Sequence, residues 1–203
     1  MPVDLPQRAA TALALALLVA CASPPPRTPG GYFGGRLLVR TDATASQGAK
    51  SLAGQFELSG GPRQGQLLLN SPIGTAVARA RWRLRTPDAA AGGTDLIELD
   101  VGGPLRTYAS LDDMVVDALG EQLPLAALFD WLAGRPWSEA PATLSADGSH
   151  FSQLGWVVDR SALAAERRIE AVREDPPGLR VRVVIDRDDP ASASGPASPP
   201  PPP

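Results

Sequence analysis

The sequence contains one cysteine and one histidine among its 203 residues. A single cysteine cannot form a disulfide within the chain, and these two residues are too few for a cysteine-rich zinc site or a multi-histidine metal centre. Neither sign of charge dominates, because 19 basic and 22 acidic residues give a formal net charge of −3. The sequence therefore predicts no metal site, and it has no global charge that favours nucleic acid or an anionic bilayer.

Long apolar runs are scarce as well. The run near the amino terminus, from Ala9 to Ala20, is apolar apart from Thr11. As a helix it would rise about 18 Å, which is too short for a hydrocarbon core of about 30 Å. The run is therefore typical of a signal peptide and not of a transmembrane span.

The apolar run stops at Cys21, and Leu18-Val19-Ala20-Cys21 resembles the lipobox that lipoprotein signal peptidase reads. The resemblance implies lipid on Cys21. Each buried methylene contributes about 0.8 kcal/mol, so two or more acyl chains hold a protein to a bilayer. The next residue is Ala22 and not aspartate, the inner-membrane retention signal of enteric-type bacteria. By that analogy we expect a lipid anchor on the periplasmic face of the outer membrane.

Composition divides the chain into four parts. Residues 1–20 form the predicted signal peptide, and residues 21–31 a lipidated tether rich in proline and glycine. Residues 32–187 carry the periodic patterns expected of one folded domain. Residues 188–203 are proline, serine and alanine for the most part, so we predict a disordered tail.

Short runs of β-type residues dominate the predicted domain, and Gly, Pro, Asp and Asn separate them at the close spacing of antiparallel meanders. A parallel sheet would need helical crossovers, and none fit between these runs. The predicted strands cover residues 36–40, 51–58, 64–70, 75–85, 95–101, 105–109, 151–159, 167–172 and 179–186.

Two segments change to helical spacing. Ser110 can cap a helix that stops at Gly120, and after Pro124 the apolar residues between Leu125 and Leu132 fall on one face. The predicted fold class is thus mainly β with α, a curved antiparallel sheet that forms an open half-barrel under a lid of short helices. Periodicity does not decide whether sheet and lid enclose an apolar cavity or a solid core.

Four segments together resemble the LolB family of outer-membrane lipoprotein receptors in order and spacing. They are LLLNSPIGT at 67–75, Leu123-Pro124-Leu125, Trp131-Leu132-Ala133-Gly134 and FSQLGW at 151–156. The resemblance runs from about Gly35 to Ile185. It implies a monomeric half-barrel with an apolar cavity, which accepts lipoproteins from the periplasmic carrier LolA and inserts them into outer-membrane lipid.

The same resemblance assigns roles to particular residues. The acyl chains of the cargo would contact Phe56, Leu128, Trp131 and Trp156, although these side chains could instead fill a core. The turn Ser71-Pro72-Ile73-Gly74 would direct Ile73 toward the membrane, since a large aliphatic side chain at an exposed turn has no folding rationale. The alternative is that Ile73 folds back onto the domain.

Arginines alternate with apolar residues between positions 78 and 85, which places their side chains on one face of a strand. This face is either the solvated outside of the sheet or a contact for lipid phosphates or an acidic carrier surface. The four residues are Arg79, Arg81, Arg83 and Arg85.

Catalysis is not expected, and neither is a cofactor. His150 has no evident nucleophile partner, because Cys21 is committed to lipid, and Asp112-Asp113 fits the first turn of a helix. The alternative to lipoprotein transfer is a lipid-anchored assembly or scaffold protein of similar shape without lipid cargo. An apolar cavity of several hundred Å³ would favour transfer, and a filled barrel would favour the scaffold.

Overall fold

The structure, a computed structural model, describes residues 31–43, 48–85, 94–175 and 178–186. Cys21, most of the predicted tether and the proline-rich tail lie outside these ranges. The described strands are β1 (Gly31–Thr41), β2 (Lys50–Gly60), β3 (Gln64–Asn70), β4 (Ala76–Arg83), β5 (Leu96–Asp100), β6 (Arg106–Thr107), β7 (Ala142–Leu144), β8 (His150–Gln153), β9 (Trp156–Asp159), β10 (Arg168–Arg173) and β11 (Leu179–Ile185). The described helices are α1 (Leu111–Leu119), α2 (Leu125–Leu132) and α3 (Leu163–Glu166).

All eleven strands form one antiparallel sheet in the order β6-β5-β4-β3-β2-β1-β11-β10-β9-β8-β7. Two meanders, β1 to β6 and β7 to β11, meet where β1 pairs with β11, for example at Leu37 and Val183. A Cβ at Gly35 would lie 2.2 Å from the Val184 carbonyl oxygen, so this junction requires glycine. The sheet is open, with β6 and β7 at its edges, which agrees with the predicted half-barrel.

The connection from β6 to β7 joins the two edges of the sheet, and α1 and α2 lie in this connection. Because it must pass from one edge to the other, the helices pack across the buried face. Phe129 of α2 meets Trp82 of β4 edge to face, with ring centroids 6.1 Å apart. Helices and sheet therefore share one hydrophobic core.

Both main helices have the boundaries that the sequence predicts. Ser110 Oγ accepts a hydrogen bond from the Asp113 N–H at 3.0 Å, and Gly120 ends α1 at φ 75°. Pro124 precedes α2, and Gly134 follows it at φ 75°. None of the described helices is long and apolar enough to cross a membrane.

The structure differs from the sequence prediction at several strands. The predicted strand at 151–159 is the hairpin of β8 and β9, whose turn lacks the Asn-Gly type of signal that marks such hairpins. The predicted strand at 75–85 ends at Arg83, because the Leu84 and Arg85 N–H groups leave the ladder for Arg63 O and Asp95 Oδ1. The strand β7 and the helix α3 were not predicted, since three or four residues are too short to show a period.

Candidate functional site

An apolar pocket lies between the buried face of the sheet and the two main helices. Strands β1 to β5 and β11 form one side, and α1, α2 and the segment between them form the other. Every residue that lines the pocket is apolar, including Met114 and Val115 of α1 and Val181 of β11. No lining side chain offers a hydrogen bond, so the pocket suits hydrocarbon and not a polar ligand.

Two of the four residues predicted to line a cavity contact this space. Phe56 reaches it from β2 and Leu128 from α2. Their positions follow from alternation in the strand and from i, i+3, i+4 spacing in the helix. Both side chains lie on the inward-facing side of their element, as the sequence pattern predicts.

The other two, Trp131 and Trp156, lie in a separate aromatic cluster and do not line the pocket. Their ring centroids are 6.0 Å apart, and Trp131 also meets Phe151 edge to face at 6.4 Å. Both tryptophans are buried. The structure therefore places Trp131 and Trp156 outside the predicted pocket lining. Hydrophobic spacing in a sequence indicates that a side chain is buried, but it does not show which side chains surround it.

Gln153 holds this cluster together, a role that sequence reasoning missed. It is 3% exposed, and its Oε1 accepts hydrogen bonds from Trp131 Nε1 at 2.8 Å and from the Trp137 N–H at 2.9 Å. Its Nε2 donates to the carbonyls of Trp137 at 2.8 Å and Ala140 at 2.7 Å. The available signal is that Gln153 alternates with Phe151 on the buried face of β8, because a buried amide must have hydrogen-bond partners.

The pocket volume is about 100 Å³. The volume is thus below the several hundred Å³ that an open cavity would show. The space is nevertheless lined by apolar side chains alone.

The loop between β3 and β4 exposes Ile73. Ser71 N–H donates to the Thr75 carbonyl at 2.7 Å, Gly74 N–H donates to the Ser71 carbonyl at 2.9 Å, and Gly74 has φ 86°. The β3–β4 register shifts at Leu69/Asn70, and such a bulge bends the strands that carry the turn. Ile73 is 90% exposed, so it does not fold back onto the domain.

The arginines of β4 lie on the exposed face, as their alternation predicts. Arg79 is directly opposite Asp100, and Arg81 is opposite Glu98, both on β5. Opposite charges at facing positions contribute roughly 0.2–1 kcal/mol each. Arg85 lies beyond the end of β4, where its carbonyl accepts from Arg63 Nη1 at 3.0 Å. The structure thus brings Arg79, Arg81 and Arg83 together and leaves Arg85 apart.

His150 is the first residue of β8, and its side chain is exposed. Its Nδ1 is 3.0 Å from Ser149 Oγ, and Asp147 accepts hydrogen bonds from the Ser145 and Ser149 side chains. These hydrogen bonds hold the pKa of Asp147 well below its usual range. Within the described ranges, no group of three or more His, Cys, Asp or Glu residues could hold a metal ion.

Comparison with known proteins identifies the family. The family model described as "Outer membrane lipoprotein LolB" matches residues 33–187. The outer-membrane lipoprotein LolB of Thiobacillus denitrificans is 34% identical over 169 residues, which covers 81% of this chain and 83% of the relative. The LolB of Bordetella petrii is 31% identical over 86% of this chain and 82% of its own length. The LolB of Ralstonia nicotianae is 30% identical over 86% of this chain and 93% of its own length.

These matches confirm the resemblance drawn from the four sequence segments. They also confirm the predicted outer-membrane location, and LolB is a lipoprotein-localisation factor and not an enzyme. The model match covers more than half of the chain and extends across the described sheet and helices. The chain therefore belongs to the LolB family of outer-membrane lipoproteins.

Proposed function

We propose that this protein accepts lipoproteins from a LolA-type periplasmic carrier and inserts them into the outer membrane, with the acyl chains of the cargo held between sheet and helices. The wholly apolar pocket carries this proposal. At about 0.8 kcal/mol per methylene, exposing the acyl chains to the aqueous periplasm costs on the order of tens of kcal/mol. Cargo must therefore pass from one apolar site to another.

Acyl chains need more room than about 100 Å³, so we propose that α1 and α2 act as a lid that moves off the sheet. The interface under the lid is apolar, and cargo replaces one set of apolar contacts with another. Two polar ties of the helical connection lie at its margins, where Asp117 accepts from Arg106 and Tyr108 and Glu121 pairs with Arg173 at 3.0 Å. The buried hydrogen bond from Trp131 Nε1 to Gln153 Oε1 at 2.8 Å stays in place and holds the end of α2 on the sheet while the rest of the lid moves.

In this proposal the aromatic cluster supports the lid and does not contact the acyl chains of the cargo. Trp131 belongs to α2, and Gln153 fixes its indole from β8. Phe56 and Leu128 contact the acyl chains. No nucleotide-binding loop occurs in the sequence, so transfer runs downhill on relative affinity, and the bilayer is the final acceptor.

Delivery uses the loop of Ser71, Pro72, Ile73 and Gly74. Full burial of an isoleucine side chain in hydrocarbon contributes about 2 kcal/mol, and Ile73 is already free of the domain surface. The lipid on Cys21 keeps the domain at the outer membrane, while the Ile73 side chain inserts into the bilayer when the cargo is released.

The arginines on the outer face of β4 are the proposed basic contact. Arg79 lies close in sequence to the Ile73 loop, and its side chain is on the exposed face with Arg81 and Arg83. Lipid phosphates accept hydrogen bonds from guanidinium groups. Salt screens such contacts, so we expect the rate of membrane association to fall as ionic strength rises. A rate independent of salt would contradict the proposed arginine contact.

A cavity-filling variant tests the proposed acyl site. Ala78 lines the pocket, and Ala78→Leu adds three carbon atoms on the same face of the strand, which reduces the space in the pocket. We expect unchanged or higher stability, because filling a void stabilises a fold, together with a severalfold loss of cargo acceptance. Ala53→Leu makes the same change at an exposed position of β2 and serves as the control. Equal acceptance by both variants would contradict the proposal.

The small pocket volume also favours a second candidate, a scaffold of the same shape without lipid cargo. A scaffold works with its helices closed on the sheet. The same pair of variants separates the two functions, because Ala78→Leu leaves a scaffold fully active.

A further inference from the structure

A second and larger hollow opens beside the apolar pocket. It lies between the amino-terminal ends of α1 and α2 on one side and the turn joining β8 to β9 on the other, and its volume is about 690 Å³. This is within the range of about 300–1,000 Å³ that small organic ligands occupy. We call it the outer groove. It is bounded by Ile97, Leu123, Leu154, Trp156 and Arg173, among others.

Leu123 separates the outer groove from the apolar pocket. Its side chain lines both spaces and is itself buried. Leu123 lies in the short connection between α1 and α2, and its neighbours Gln122 and Pro124 also line the groove. A ligand with one end in the pocket can therefore continue into the groove if this one connection shifts.

The rim of the outer groove contains a residue that the fold does not explain. Leu154 and Gly155 form the two-residue turn between β8 and β9, and both have positive φ, 54° for Leu154 and 77° for Gly155. Leucine rarely adopts this conformation, and Asn, Asp or Gly would fit the turn at lower cost. The Leu154 side chain is 47% exposed and still lines the groove. A strained and exposed aliphatic side chain at a hollow indicates a binding role.

The charges at the outer groove restrict what can bind there. Three carboxylates line it, Asp95, Asp112 and Asp175. The cationic group, Arg173, is neutralised by Glu121 at 3.0 Å and lies 5.5 Å from the centre of the Trp156 ring. Carboxylates repel phosphate headgroups and free fatty acids, but they accept hydrogen bonds from peptide N–H groups.

We propose that the outer groove binds the peptide segment of the cargo that directly follows its lipidated cysteine. The inference rests on the proposed function, since it assumes acyl chains in the pocket beyond Leu123. The acyl chains then occupy the pocket, the glyceryl cysteine lies at Leu123, and the following few residues extend across Trp156 to the Leu154 turn. The protein thereby recognises a lipoprotein and discriminates against a membrane phospholipid with similar acyl chains.

Two synthetic ligands and one variant test this inference on the untethered chain carrying Cys21→Ala. One ligand is the diacylglyceryl cysteine amide, and the other is the same lipidated cysteine followed by five residues of serine, alanine and asparagine. Affinities are measured by displacement of a fluorescent fatty acid. We expect the wild-type domain to bind the peptide-bearing ligand about tenfold more tightly than the amide.

The variant is Leu154→Asn, which removes the apolar side chain and suits positive φ. Its thermal stability should equal or exceed that of the wild type, so any loss of binding is not a loss of fold. We expect it to bind the amide as the wild type does and to lose the tenfold preference for the peptide-bearing ligand.

Other outcomes would overturn the inference. Equal affinity of the wild type for both ligands would remove the peptide site and leave the proposed function standing. Failure to bind either ligand would remove the proposed function together with the inference. If Leu154→Asn keeps the peptide preference and instead weakens binding of the unloaded carrier, the groove is a carrier contact and the inference is wrong.

Discussion

Ile73→Glu separates folding of the domain from delivery to the membrane. Because Ile73 is 90% exposed and at the tip of a turn, the substitution should change the free energy of unfolding by less than about 0.5 kcal/mol. The loss of binding free energy at the bilayer is larger than this change in stability. An isoleucine side chain buried in hydrocarbon contributes about 2 kcal/mol, which corresponds to a loss of roughly 30-fold in membrane delivery.

The assay follows incorporation of a labelled lipoprotein into liposomes, and urea denaturation of the same samples reports stability. Leu144→Glu is the matched control, because Leu144 is an aliphatic residue that is 54% exposed on the edge strand β7. Cargo binding should be unchanged in both variants, while incorporation falls only in Ile73→Glu. Normal incorporation by Ile73→Glu, or equal loss in the control, would refute the role of the loop.

Two further predictions concern stability. Gln153→Leu leaves three groups without a partner, namely the Trp131 indole N–H, the Trp137 N–H and the Ala140 carbonyl. At about 1–3 kcal/mol for each unpaired group we expect a loss of about 3–5 kcal/mol in urea denaturation, and a loss below about 1 kcal/mol would show that the network is dispensable. Burial opposes ionisation of Glu170, but hydrogen bonds from Arg180 and Arg182 prevail and lower its pKa from 4.5. A lowered pKa contributes stability above pH 4.5 that is lost as the pH falls below that value. Glu170→Gln should therefore flatten the acid dependence of the unfolding free energy, and an unchanged slope would contradict this assignment.

Local patterns predicted much of the fold. In β4, Ala78, Ala80 and Trp82 alternate with arginines, and the structure turns them to the core. Ser110 and Gly120 bound α1 as capping chemistry requires. These features depend on neighbouring residues alone, which is why the sequence is sufficient to find them.

Long-range contacts could not be predicted in the same way. Trp131 lies on the apolar side of α2, yet only the tertiary structure shows that its neighbours are Trp156 and Phe151 and not the pocket. The acidic partners of the β4 arginines depend on the register between β4 and β5, which sequence spacing does not fix. The pocket volume depends on how closely two helices approach a curved sheet, and hydrophobic periodicity contains no such distance.

Handover of cargo is the most direct test of the central claim. The untethered chain, carrying Cys21→Ala, is mixed with a LolA-type carrier that holds a labelled lipoprotein, and the two proteins are then separated. The label should move to this chain without nucleotide, and Ala78→Leu should receive severalfold less than Ala53→Leu. Label that stays on the carrier, or that reaches both variants equally, would contradict the account.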